Sequence, residues 1–417
     1  MAESFIIALL TRVSQAAQGT GSTPTSVRVQ LTQRRPTKCI PKLPWFAAAV
    51  DNFGDGLNWE LAATVFGFDA LAEMTPRELH RLHGLNTTST GRGLRLTTLD
   101  EFRGTAAPGQ KVLAIGSVLN APMRLRGDLV LGAGMDDRQW RCRVADGVDC
   151  RDASFLRPYY DPRPITNKNR SGARLQRLRL LQLGPVFAVR GRLTCDLLER
   201  MMPGRGCTSG CVLGEPALAM PFISSRWARL FAASREHRRP LSSGGMLCAI
   251  WHEHDAGLRG QAKQRCHAKM VDRLAGRDDG QSQAVASCMA ISPHHEGGAF
   301  GIASLLSRSC RAVVSSSLHG IAIADALRVP AMVHGQAYAT RFKFVDYFSS
   351  TGGLNLAALH TSHPPYVVES LEEALRRMES GTLQPRLSEA FLHDFARRYV
   401  AALPFELLCA KRMHQRS

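Results

Sequence analysis

Along this chain, short apolar runs that end in glycine, serine or a charged residue alternate with stretches whose apolar positions recur at helical spacing. The clearest case is 311–335. Residues 312–314 are an apolar run that ends in Ser315, Ser316 and Ser317. Ile321, Ala322, Ala324, Asp325, Ala326 and Leu327 then follow a helical rather than an alternating pattern, so a strand feeds a helix through the serines. Pro330 closes that helix, and 331–333 begins a second buried strand.

The same design recurs on both sides of this unit. Residues 45–50 read as a strand, 51–55 as a turn and 57–66 as a helix. Runs 111–116 and 128–134 are short strands ending in glycine; 187–191 is another, with Arg190 at its tip, before a helix over 193–202. Residues 212–218 are a further strand and turn. From 224 to 243 the chain turns basic and polar, as a passage between domains does. A second series follows, with strands at 246–251 and 284–291 and helices at 261–273 and 300–309. Residues 341–348 alternate charged and aromatic side chains like a loop at a cleft edge. Helical spacing returns over 365–403, with Leu371, Ala374, Leu375 and Met378 toward a core. The pattern predicts an α/β fold of two Rossmann-like domains facing a cleft. Residues 1–44 form a disordered or targeting extension, 45–223 the first domain, 224–243 the passage, 244–380 the second domain and 381–417 a C-terminal helical segment.

A chain of 417 residues is too long for one ordinary core, which agrees with two domains. A hydrophobic content of 44% with 21% charged residues is that of a globular protein. The net charge of +18 points to an anionic substrate or partner. The arginines are scattered and only 7% of residues are aromatic, which argues against nucleic acid. Of the eleven cysteines, Cys195, Cys248, Cys288 and Cys310 lie in apolar patterns and read as free packing residues. Cys207 and Cys211 read as a loop thiol pair without function. The apolar stretch 5–10 is too short to span a bilayer, and nothing later is long enough. A cytoplasmic protein is expected, or one of the Golgi or another organelle if the head is a targeting segment.

Candidate chemistry gathers at the strand tips. His319 falls in the first turn of the helix after Ser317, where amides and helix dipole attract an anion. An imidazole beside a bound anion favours its protonated form and can donate a proton near neutral pH. Arg190 can grip a carboxylate or phosphate with two prongs. Asn52 and Asp55 lie in the turn after the first strand, and His252 lines the cleft after 246–251. The His252-Glu253-His254 run has no third metal ligand at a persuasive spacing, so no metal is assigned. No G-x-G-x-x-G opens a helix after a strand, and no phosphate-loop motif occurs.

The ordered set of turn motifs resembles the polysaccharide pyruvyl transferase family, in its exopolysaccharide-type members. The matching pieces are Asn52-Phe53-Gly54-Asp55, Ala114-Ile115-Gly116-Ser117, Gly132-Ala133-Gly134, Val189-Arg190-Gly191, Gly214-Glu215-Pro216-Ala217, Ser317-Leu318-His319-Gly320 and Phe342-Lys343-Phe344 with Asp346-Tyr347. Glu215 stands where the family has Asp, and 255–285 departs from its pattern. The resemblance implies a GT-B-like pair of domains that transfer pyruvate from phosphoenolpyruvate to a sugar as a cyclic ketal and release phosphate. No cofactor is implied beyond phosphoenolpyruvate as co-substrate. Arg190, Ser316, Ser317, His319 and Lys343 are then expected at the donor, Asn52, Asp55 and His252 at the sugar, with His319 and Arg190 as the catalytic pair. Two other readings stay open, a nucleotide-sugar glycosyltransferase of the same architecture and a non-enzymatic binder of polyanions.

Overall fold

The computed structural model describes residues 39–43, 45–46, 52–68, 110–116, 127–135, 183–204, 210–237, 246–252, 288–295, 297–335, 342–351 and 366–410, with isolated positions between them. After a short strand β1 (Ile40–Pro41), two parallel sheets carry the architecture. The first holds β2 (Trp45–Phe46), β3 (Leu96–Thr97), β4 (Val112–Leu113), β5 (Leu129–Leu131), β6 (Val186–Val189) and β7 (Val212–Leu213), in the order β3-β2-β4-β5-β6-β7. The second holds β8 (Met246–Ile250), β9 (Cys288–Ile291), β10 (Cys310–Ser315), β11 (Ala331–His334) and β12 (Val367–Val368), in the order β12-β11-β10-β8-β9. Every pairing within both sheets is parallel. Strands such as 129–131 and 331–334 are buried at every residue, as parallel strands covered on both faces must be.

Both halves are wound alike. In each, the second strand lies on one side of the first, and the third and later strands lie on the other. The strand order therefore reverses between β2 and β4 in one half and between β8 and β10 in the other. Connections leave such a point in opposite directions, and ligands bind at the strand carboxyl ends there.

Helix α1 (Phe53–Phe66) follows β2. Asn52 caps it, accepting the Gly54 N–H at 2.9 Å, and every residue of the helix except Asp55 is buried. A helix buried all round lies between two packed bodies. Helices α2 (Arg192–Met201), α3 (Met220–Ile223) and α4 (Ser225–His237) complete the first half; α5 (Gly298–Ser309), α6 (Leu318–Ala326), α7 (Phe342–Ser350) and α8 (Leu371–Glu379) belong to the second. Then α9 (Glu389–Ala402) returns to the first half, where the Tyr399 hydroxyl donates to the Leu131 carbonyl at 2.9 Å. One apolar cluster runs through both halves, including Trp45, Phe53, Trp227, Ile250, Val313, Phe344 and Phe395. A smaller one, with Leu247, Trp251, Val314, Met332 and Met378, covers the other face of the second sheet.

Several expectations change. The basic stretch 224–243 contains α4, whose Trp227, Leu230, Phe231 and Ser234 are buried at i, i+3, i+4 and i+7 while Arg229 and Arg235 are exposed and Arg226 lies over the Phe300 ring. Of residues 341–348, expected as a loop, 342–348 lie within α7. The helix expected over 261–273 lies outside the described residues except for Cys266. Most of 1–44 also lies outside them, but β1 pairs antiparallel with β13 (Cys409–Ala410), which follows α10 (Phe405–Leu408). The Arg34 guanidinium donates to the carbonyls of Val400, at 3.1 Å, and Ala401. The cysteine reading is overturned: Cys39–Cys409, Cys195–Cys207, Cys248–Cys310 and Cys266–Cys288 are disulfides, and Cys211 is free. No helix among the described residues is long and apolar enough to cross a membrane.

Candidate functional site

The carboxyl ends of β8 and β10 are locked together by the serines. Ser315 Oγ accepts the Ser317 N–H at 2.9 Å and donates to the Ile250 carbonyl at 2.8 Å, and Ser316 Oγ accepts the His252 N–H at 2.9 Å. Ser317 occupies the cap position of α6, but its hydroxyl makes no cap bond. The serines therefore shape the turn, and the first amides of α6, which have no partner within the helix, point out of it. His252 is fixed beside this turn through its backbone.

His319 leaves the first turn of α6 and lies over Gly54 at the start of α1. A Cβ at Gly54 would collide with its imidazole Nδ1, so the close approach of the two halves requires glycine here. Phe53 meets the ring edge-on, with centroids 6.4 Å apart. The buried Nε2 makes no hydrogen bond. Burial first, then the charges of Lys343 and Arg190, pushes the imidazole down to about 3, so the protein groups around it hold His319 neutral. The expected proton donor thus needs a negative charge brought close to it.

Arg190, at the tip of β6, is fully buried. Its Nε donates to Asp346 Oδ2 at 3.3 Å, one terminal nitrogen donates to the Met135 carbonyl, and its plane lies on Gly134, where a Cβ would strike it. Within the protein, the guanidinium grips Asp346. Asp346 in turn accepts from the Thr194 amide at 2.8 Å and the Thr194 hydroxyl at 2.6 Å, capping α2 from another element. Burial pushes the Asp346 carboxyl up, while Arg190 and Thr194 draw it back.

Glu215 follows β7 beside this pair. It is fully buried, neither carboxyl oxygen has a hydrogen-bond partner, and burial pushes its pKa to about 8 against the pull of Arg190, with Asp346 adding to the rise. Lys343, in α7, is buried near His319 and Phe344. The placement of α7 against α6 rests on Tyr347 and Asp325, both within quoted sequence patterns, and on Arg386 and Thr351, which the sequence did not flag. Tyr347 Oη donates to Asp325 Oδ2 at 2.7 Å, and Arg386 joins Asp325 to Thr351, whose hydroxyl it meets at 2.6 Å.

The structure thus gathers His319, Lys343 and Arg190 into one electrostatic cluster where the two halves touch. Asn52 is at its border as the cap of α1, and Asp55 lies in the first turn of that helix. Among the described residues no group of three or more His, Cys, Asp or Glu is arranged to hold a metal ion. Comparison with protein-family models, with curated proteins and with solved structures finds no match.

Proposed function

We propose that this protein transfers pyruvate from phosphoenolpyruvate to a sugar of a polysaccharide or its precursor, forming a cyclic ketal and releasing phosphate, with its two halves acting as a GT-B-like pair. The observation that carries this reading is His319. Its unpartnered Nε2 lies at the start of α6, beside two buried cations, at the point where the strand order of the second sheet reverses. A small anion placed on the first amides of α6 offsets the charges of Lys343 and Arg190 and favours protonation of His319. His319 then donates to the methylene carbon of the enol, one sugar hydroxyl adds to the adjacent carbon and returns its proton to His319, and a second hydroxyl closes the ketal as phosphate leaves with that hydroxyl's proton. Lys343 holds the donor phosphate, and Arg190 acts from behind as a fixed charge. Asn52, Asp55 and His252 border the sugar.

Four disulfides among the described residues support an oxidising compartment, as for an organelle of the secretory route, over the cytoplasm. Peptide mapping with and without reductant checks this, and free thiols at Cys39 and Cys409 in the isolated protein would contradict it.

The activity test is phosphate release from phosphoenolpyruvate in the presence of galactoside and mannosamine acceptors. His319→Ala is expected to lower turnover at least about a hundredfold, the range of a lost general acid, and Lys343→Ala to weaken donor binding. Parental rates in both variants would reject the reading. Thermal protection by a uridine nucleotide but not by phosphoenolpyruvate would favour the glycosyltransferase instead.

A further inference from the structure

The carboxyl end of the first sheet holds one carboxyl group more than its partners satisfy. Asp346 has two contacts from Thr194 and one from Arg190, all suited to its ionised form. Glu215 is equally buried and has none. A carboxylate without donors is costly to bury, whereas a protonated carboxyl loses far less, so the proton in this cluster resides on Glu215. The raised pKa agrees with that location.

We propose that Glu215 is a positioning residue whose proton keeps the Arg190 cluster from repelling the donor: neutral, it leaves the Arg190–Asp346 pair balanced, and ionised, it makes the cluster net negative and disfavours an anion beside it. This rests on the donor reading above. The titratable groups bearing on Glu215 are Arg190 at the tip of β6, Asp346 and Tyr347 on α7 and Tyr399 on α9. The turn Pro216–Ala219 that follows it packs on α1, α6 and α9. From α6, His319 faces Lys343 and Arg190, and Asp325 is paired with Arg386. From α1, Glu60 is held by Trp227 and the Phe300 amide, with Asp55 in its first turn. On α9, Asp394 is paired with Arg397 and Arg398. Of the carboxyl groups in the Arg190 cluster, Glu215 is the one without a donor.

Calorimetric binding of phosphoenolpyruvate to the full chain across about pH 6 to 9.5 tests this. One proton linked to binding predicts a fall of up to about tenfold per pH unit above the Glu215 titration. Glu215→Gln, which fixes the neutral form, is expected to bind with parental affinity at pH 6 and to lose that fall. It keeps His319 and the donor's own titration, so the difference isolates Glu215. The same pH slope in both proteins overturns the proposal. Infrared difference spectra of the parental protein give a readout independent of the donor. A protonated-carboxyl band at pH 7 that disappears by about pH 9.5, and is shifted in Glu215→Asp, supports the proton on Glu215 whether or not phosphoenolpyruvate binds; failure of phosphoenolpyruvate to bind at every pH would reject the donor reading and the coupling that rests on it. Absence of the band at pH 7 overturns the proposal.

Discussion

Two buried charge clusters sit at opposite edges of the same six-stranded sheet. At the amino edge, Lys111 and Asp128 form an ion pair in which Asp128 also accepts the Lys111 amide at 3.0 Å, one acid to one base. Burial lowers the lysine and raises the aspartate to about 6, each against the pull of the other. At the carboxyl edge, Arg190 faces two carboxyl groups, and the neighbouring His319 leaves a buried nitrogen unpaired. A closed pair holds strands in register and has nothing left to offer a ligand. The unbalanced cluster is where binding energy can still be gained.

This contrast breaks most sharply with pH. Glu215 has its pKa raised from 4.5 to about 8 on folding, so its contribution is full below pH 4.5 and is lost as the pH rises through about 8. Denaturant unfolding should show a parental stability that falls, relative to Glu215→Gln, by on the order of 4 kcal/mol across that window. Equal curves would place the proton elsewhere. Next in size, Lys111→Ala strands a buried carboxylate and should cost about 3–5 kcal/mol, while Lys111→Met with Asp128→Leu should recover most of it. Activity per folded molecule should stay parental in the double variant; a large loss would end the separation of roles. Gly54→Ala drives a methyl into His319 and should cost about 1–3 kcal/mol, partly relieved when His319→Ala is added. Simple additivity would mean the two halves do not meet there. Smallest is Asp394→Asn, which removes exposed partners of Arg397 and Arg398 and should change stability by less than about 1 kcal/mol.

Much of this was legible in the residues. Glycine- and serine-ended apolar runs marked the buried parallel strands, and the residues singled out after β2, β8 and β10 fall at the two strand-order reversals. What was hidden depends on contacts distant in sequence. Cys39 and Cys409 are 370 positions apart, and nothing in an apolar pattern separates a packed thiol from a paired one. Helix α7 read as a loop because it is buried at Phe342, Lys343, Phe344, Asp346, Tyr347 and Phe348, which erases the polar face that signals a helix. The basic composition of 226–239 masked the apolar face of α4. Arg190 was visible as a guanidinium at a strand tip, but its partner Asp346 lies 156 residues away.

The most direct test of the account is mass spectrometry of a panel of sugar acceptors incubated with phosphoenolpyruvate and the protein. The expected result is an acceptor heavier by one pyruvate less one water, with one phosphate released per product, and loss of both with His319→Ala. Unmodified acceptors and intact phosphoenolpyruvate across the panel, with a protein shown to be folded and disulfide-bonded, would contradict it.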